Sequence, residues 1–130
     1  VSGPCPEPSP EAVELAHQLL DCAREGAAER LLAYVDAGVP VDLTDASGNT
    51  LLMLAAYHGH AHLVAALAQR GADVNRLNDR GQSPLAGAVF KAEDDVARVL
   101  VETGADPDRG APSARETARF FERTLPGSST

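Results

Sequence analysis

Apolar residues along this chain recur at helical spacing in short bursts, and the bursts copy one another. The first runs from Pro10. Val13, Ala16, Leu19, Leu20 and Ala23 lie between Glu11, Glu14, Gln18, Asp21 and Glu25, which is a 3.6-residue pattern with one buried face. Ser9 offers an N-cap oxygen, Pro10 suits the first turn, and Glu11 sits favourably at the positive end of the helix dipole. Gly26 stops this helix. A second is predicted from about Ala28 to Asp36, carrying Leu31, Leu32, Tyr34 and Val35, with Gly38 as a left-handed terminator.

The same hairpin then returns twice. Thr50 caps a predicted helix from Leu51 to His58, Gly59 breaks it, and a helix from about Ala61 to Arg70 places Leu63, Val64 and Leu67 inward. Ser83 and Pro84 start the next copy as N-cap and first residue, and its second helix opens near Glu93 with Asp94 and Asp95 suited to the dipole. Gly104 closes it. Gly48 to Gly81, Gly71 to Gly104, Gly26 to Gly59 and Gly38 to Gly71 are each 33 residues apart. Ser113 and Glu116 have the spacing of a capping box and start a last helix with Ala114, Ala118 and Phe121 on one face.

These residues resemble the ankyrin repeat family, whose period is 33. The resemblance is carried by Gly48-Asn49-Thr50-Leu51-Leu52-Met53-Leu54-Ala55-Ala56, by Gly59-His60, and by Gly71-Ala72-Asp73-Val74-Asn75. It recurs in Gly81-Gln82-Ser83-Pro84-Leu85 and Gly104-Ala105-Asp106, and covers about Ala12 to Arg123. It implies an all-α solenoid of stacked helix-turn-helix hairpins with β-turn fingers: three repeats at about 10–44, 45–77 and 78–110, and a capping helix at 113–125. Residues 1–9, with Pro4, Pro6 and Pro8, and residues 126–130 are expected to be disordered tails. The chain departs from the family pattern in three places. Met53 and Ala86 stand where the family has a histidine, Ala92 replaces the glycine between helices, and Gly87 sits inside a first helix at a cost of about 1 kcal/mol relative to alanine. The small residues Ala86, Gly87 and Ala88 lead to the expectation that Phe120 or Phe121 covers that helix.

By the same resemblance the chain is a protein-interaction module that binds a partner protein through the concave face. The variable positions fall at Ala46, Ser47, Asn49, Tyr57 and His58, at Leu77, and at Asp79, Arg80, Gln82, Phe90 and Lys91. Tyr57 and Phe90 are 33 residues apart and so occupy equivalent places. They are either interface anchors, where aromatics are enriched, or packing against the neighbouring hairpin. Two narrower readings accompany this one: an accessory factor to a bacterial oxidative-stress enzyme such as a catalase, or the regulatory domain of a larger protein.

Composition narrows the picture further. A chain of 130 residues is one domain by size, and 44% apolar content with five aromatics means a core of Ala, Leu and Val. The net charge of −8 argues against a nucleic-acid partner, since phosphate binding rests on clustered Lys and Arg. No apolar run reaches the roughly 18 to 20 residues that span a bilayer. A cytoplasmic monomer without a cofactor is expected. Cys5 and Cys22 are too few for a disulfide framework and read as free thiols in a reducing compartment, with a Cys5–Cys22 bridge as the alternative. The ratio of ten arginines to the single Lys91 fits a GC-rich coding sequence, as in many bacteria.

Candidate chemistry is sparse. His58, His60 and His62 form a His-x-His-x-His run, but helical metal ligands use spacings of three or four, and no cysteine accompanies the run. Asp94, Asp95 and Glu116 fall at helix starts, where carboxylates cap or are solvated. Cys22 has His17 five residues away, off the same helical face, and belongs to the core by its position. Gly48 and Gly81 stand singly in turns rather than in a phosphate-binding loop. The chain is not expected to be an enzyme.

Overall fold

A computed structural model describes residues 10–121. The expected tails, the Ser9 cap and the end of the capping helix beyond Phe121 lie outside the described residues. Seven helices occupy this stretch: α1 (Pro10–Glu25), α2 (Ala28–Asp36), α3 (Leu51–Tyr57), α4 (Ala61–Gln69), α5 (Pro84–Phe90), α6 (Asp94–Glu102) and α7 (Ala114–Phe120). The predicted helices differ from these by a residue at three ends, where His58, Arg70 and Glu93 are caps rather than helical residues.

The helices form two rows. α1 packs on α3, α3 on α5 and α5 on α7, while α2 packs on α4 and α4 on α6; each hairpin joins the rows. This arrangement explains why α3 is apolar all round. Leu51, Leu52, Met53, Leu54, Ala55 and Ala56 are all buried, because α1, α4 and α5 surround that helix. The outer row needs only one apolar face, and Leu63, Val64 and Leu67 of α4 and Val96 and Leu100 of α6 supply it. Leu19 and Leu31 do the same for the first hairpin. Burying one such leucine contributes roughly 1.5 to 3 kcal/mol.

Side-chain caps set where the inner helices begin. Thr50 Oγ1 accepts from the Met53 amide at 3.1 Å and Ser83 Oγ from the Ala86 amide at 3.0 Å. Ser113 and Glu116 form the reciprocal capping box, each side chain accepting from the other's backbone N–H at 3.1 Å. Between the two helices of a hairpin the chain turns through a left-handed residue. Gly26 (φ +76°) and Gly59 (φ +79°) fill that position in the first two hairpins, and Ala92 (φ +59°) fills it in the third.

Neighbouring hairpins are also tied through the loops after the outer helices. Asp42 Oδ1 accepts from the Asp73 amide at 3.1 Å, and Asn75, 33 residues after Asp42, donates to the Gly104 carbonyl at 3.1 Å and accepts from the Asp106 amide. Arg70 adds a two-point pair with Asp36, Nε to Oδ1 at 2.8 Å and Nη2 to Oδ2 at 3.2 Å. That hydrogen bond and the positive charge of Arg70 hold the Asp36 carboxyl below its usual range.

Candidate protein-interaction face

The fingers that precede α3 and α5 are built by one acidic or amide side chain each. Asp45 Oδ1 accepts from the amides of Ser47 and Asn49, both at 2.9 Å, and Asp45 Oδ2 accepts from Asn49 Nδ2 at 3.1 Å. Asn78 occupies the equivalent place: its Oδ1 accepts from the amides of Arg80 at 2.9 Å and Gln82 at 3.0 Å. Both close the backbone on itself in the manner of an Asx turn. Partial burial raises the Asp45 pKa, but the hydrogen bonds from Asn49 and Ser47, with Arg24 nearby, outweigh it and hold the carboxyl below the usual range.

One ladder runs across the fingers. Asn78 Nδ2 donates to Asn49 Oδ1 and to Gln82 Oε1, both at 2.9 Å, while the Asp79 amide donates to the Ser47 carbonyl at 3.0 Å. The Ala111 amide continues the ladder to the Gly81 carbonyl at 2.9 Å. Asn49 is therefore engaged in holding finger to finger, while Gln82 braces Asn78 within its own finger. Ala46, Ser47, Asp79 and Arg80 are exposed at the tips, and Leu77 is half-buried between them. Buried Asn78 is absent from the candidate positions read from the sequence; its signal was its place 33 residues after Asp45, where a side chain able to accept two amides is required.

Tyr57 and Phe90 line a common cleft of about 200 Å³ with Gln82, Ala86, Gly87, Lys91, Pro112 and Thr117. The two equivalent rings play different parts. The Tyr57 ring lies over Gly87, where a Cβ would overlap Tyr57 Cε1, and its burial raises the phenol pKa so that it stays neutral. Phe90 is 62% exposed and meets Phe121 edge to face at 5.6 Å between centroids. Phe121 in turn meets Phe120, which is 80% exposed, at 5.0 Å. The expected interlocking of a large residue on the small α5 surface thus exists, but at Gly87 the large residue is Tyr57 from the preceding hairpin. Phe121 reaches the end of α5 at Phe90 instead.

The histidine run does not share a helix. Tyr57 ends α3, His58 and Gly59 turn the chain, and α4 starts at Ala61. The rings of His58 and His60 stack at 6.4 Å between centroids. His60 Nε2 lies 2.8 Å from the Arg24 carbonyl, to which an imidazole N–H donates, and its ring sits where a Cβ on Gly26 would fall. His60 is a clamp between two hairpins. Burial lowers the His58 pKa, and the positive charges of Lys91, His60 and Arg24 lower it further. His62 is exposed, and among the described residues no three His, Cys, Asp or Glu side chains converge on a point that would hold a metal ion.

The remaining candidates for chemistry have structural surroundings. Cys22 is a buried free thiol packed with the core that contains Leu19, Leu20 and Ala23. Asp94 and Asp95 are exposed at the start of α6, with Arg98 3.6 Å from Asp95. Glu116 belongs to the α7 capping box.

Three helical hairpins stacked in two rows, tied finger to finger and loop to loop, with a capped last helix, define a helical repeat solenoid. The family model described as three copies of ankyrin repeats matches residues 19–111. The chain belongs to the ankyrin repeat family. It is 48% identical over 61 residues to an ankyrin repeat protein of Pseudomonas aeruginosa, covering 47% of this chain and 36% of that protein. It is 41% identical over 76 residues to an ankyrin repeat-containing protein of Treponema pallidum, covering 58% and 26%. The longest of the three matches, 31% identical over 109 residues, is to serine/threonine-protein kinase 12 of Arabidopsis thaliana, covering 84% of this chain and 24% of the kinase. The chain thus spans about a quarter to a third of the length of these curated relatives. Ankyrin repeats are in general protein–protein interaction modules, and the family is in general non-catalytic. No described helix is long and apolar enough to cross a membrane.

Proposed function

We propose that this chain is a non-enzymatic interaction module, made of repeats at about 10–44, 45–77 and 78–110 with a capping helix, that binds one partner protein on its concave face. The observation that carries this reading is the cleft between Tyr57 and Phe90. The exposed Phe90 ring and the Lys91 cation line it, and the finger tips at Ala46, Ser47, Asp79 and Arg80 are exposed on the segments that lead into α3 and α5. Aromatics and arginine are the side chains most enriched where binding energy concentrates. His58 and Leu77 complete the face, Gln82 lines the cleft, and Asn49 ties one finger to the next. The module works as a monomer in the cytoplasm, a setting that the free, buried Cys22 supports.

A second reading is favoured by the match to the plant kinase, in which this length of chain corresponds to a quarter of a larger protein. There the same face would act as a regulatory unit beside other domains. Affinity capture from the native cell, with a Phe90→Ala/Arg80→Ala variant as control, tests the common part of both readings. A partner retained by the parent and lost by the variant is the expected result. Retention of every partner by a variant with unchanged helical circular dichroism would move the binding site off this face.

A further inference from the structure

We infer that the Tyr57–Phe90 cleft receives an acidic segment of the partner protein, with one bulky apolar side chain seated in the cleft and a neighbouring carboxylate against Lys91. This rests on the concave-face reading above and names the chemistry of its occupant. The first ground is size. About 200 Å³ is below the roughly 300 to 1,000 Å³ of sites that enclose a whole small-molecule ligand, so the cleft suits a side chain rather than a metabolite. Its walls suit an apolar one, being made by two rings, Ala86, Gly87 and Pro112.

The second ground is charge. The chain carries 19 carboxylate residues against 11 cationic ones, yet the inner-face segments 44–60 and 76–91 hold only Asp45 and Asp79 against Arg76, Arg80 and Lys91. Of those two carboxylates, Asp45 is occupied by its own finger. The rest of the acidity lies mainly on α1, which belongs to the inner row but lines no part of the cleft, on the outer helices and in the loops between hairpins. Arg24, Arg70, Arg98 and Arg115 each have a carboxylate partner, whereas Lys91 has none among the described residues. Among the described residues Lys91 is also the one cationic side chain lining the cleft, and its charge bears on the adjacent His58. Screening over about 8 to 10 Å lets this local positive patch act despite the net charge of −8. A carboxylate completes the site; an ammonium or guanidinium would meet Lys91 with like charge.

The test is to pan a phage-displayed library of random linear peptides on the full chain. Recovered peptides are then titrated by fluorescence polarisation against the parent, Phe90→Ala and Lys91→Glu, two changes at exposed positions. Expected are peptides with Leu, Ile, Met or Phe within two residues of Asp or Glu, weakened tenfold or more by either substitution. Replacing the peptide's carboxylate by lysine should restore binding to Lys91→Glu. Peptides that need Phe90 but are basic, or are indifferent to Lys91→Glu, would overturn the acidic assignment and leave the concave-face reading standing. Peptides indifferent to both substitutions, or no enrichment at all, would overturn both. A Leu125→Ser chain that binds the same peptides tenfold more tightly would make the chain's own residues 122–130, which follow α7 in the sequence, the occupant. A dimer that sedimentation shows to be lost on Phe90→Ala would make it a second copy; either result overturns the partner assignment.

Discussion

The ring of Tyr57 lies directly on Gly87, so the glycine inside α5 is the seat of an aromatic side chain from the preceding hairpin. Judged as a helix residue alone, Gly87 is a weakness, and alanine there would gain about 1 kcal/mol. Packing reverses the sign. Gly87→Ala places a methyl in the space of Tyr57 Cε1 and Cδ1, and overpacking of this kind costs about 1 to 3 kcal/mol. Urea denaturation should show Gly87→Ala less stable than the parent. In a Tyr57→Ala background the same change should become neutral or stabilising, a coupling between neighbours that distant sites do not show. A stabilised single mutant would mean that the ring does not sit there.

Ala92 gives the opposite case. It holds φ +59° at the turn where Gly26 and Gly59 serve the other hairpins, and it is exposed, so its methyl is strained without being packed in the core. A left-handed conformation costs an L-residue roughly 1 to 2 kcal/mol. Ala92→Gly should therefore raise stability by about 1 kcal/mol, reduced by whatever glycine adds to the freedom of the unfolded chain. Thermal melts tracked at 222 nm check it: an unchanged or lower midpoint would refute the strain.

These two positions mark what could and could not be read from the chain. The hairpins, their order and the buried faces were legible because Leu63, Val64, Leu67, Val96 and Leu100 repeat at helical spacing, and because Thr50, Ser83 and Ser113 each cap the helix that begins at the next residue. Ala92 was legible as a departure at a glycine position. The roles of Tyr57 and Phe90 were not separable, since equivalent positions in a repeat differ by what the next hairpin offers. Gly87 lies beneath one ring and Phe121 beside the other. The finger ladder was hidden for a related reason: Asn49 and Gln82 read as free polar positions until Asn78 is seen between them.

Asp45 should make stability depend on acid. Its folded pKa lies below the usual range because the Asn49 and Ser47 donors prefer the carboxylate, so the unfolded chain binds the proton more readily. The contribution is fully present above the unfolded pKa and is lost as pH falls through the folded one. Asn78 shows that an amide oxygen can accept the two backbone N–H groups of this turn, so Asp45→Asn should keep the turn while losing the charge and the bond from Asn49 Nδ2. The expected cost is about 1 kcal/mol at pH 7, the difference between a charged and a neutral acceptor. That difference should be smaller at pH 3 than at pH 7, because the charged contribution is lost as pH falls through the folded pKa while other carboxylates titrate equally in both proteins. Paired urea titrations at the two pH values measure it, and a gap that stays constant would remove Asp45 as the cause.

The last helix should act as a lid on the inner row, and its two phenylalanines should differ. α7 packs on α5 through Ala114, Thr117 and Ala118, all buried, and the capping box fixes where it starts. Without it, the side of α5 that packs on α7 would meet water, and terminal repeats of a stack require a polar outer face. Deleting residues 113–130 should lower the melting temperature and increase binding of an apolar dye. Within the intact chain, Phe121→Ala loses its edge-to-face contact with Phe90, and aromatic pairs of this kind are worth about 0.5 to 1.5 kcal/mol beyond their burial. Phe120, 80% exposed, loses only its contact with Phe121, whereas Phe121→Ala loses that contact as well as the one with Phe90, so Phe120→Ala should cost less than Phe121→Ala. Equal losses at the two positions would show that the pair acts as one unit, and an unchanged melt after the deletion would show that α5 does not depend on α7 for its cover.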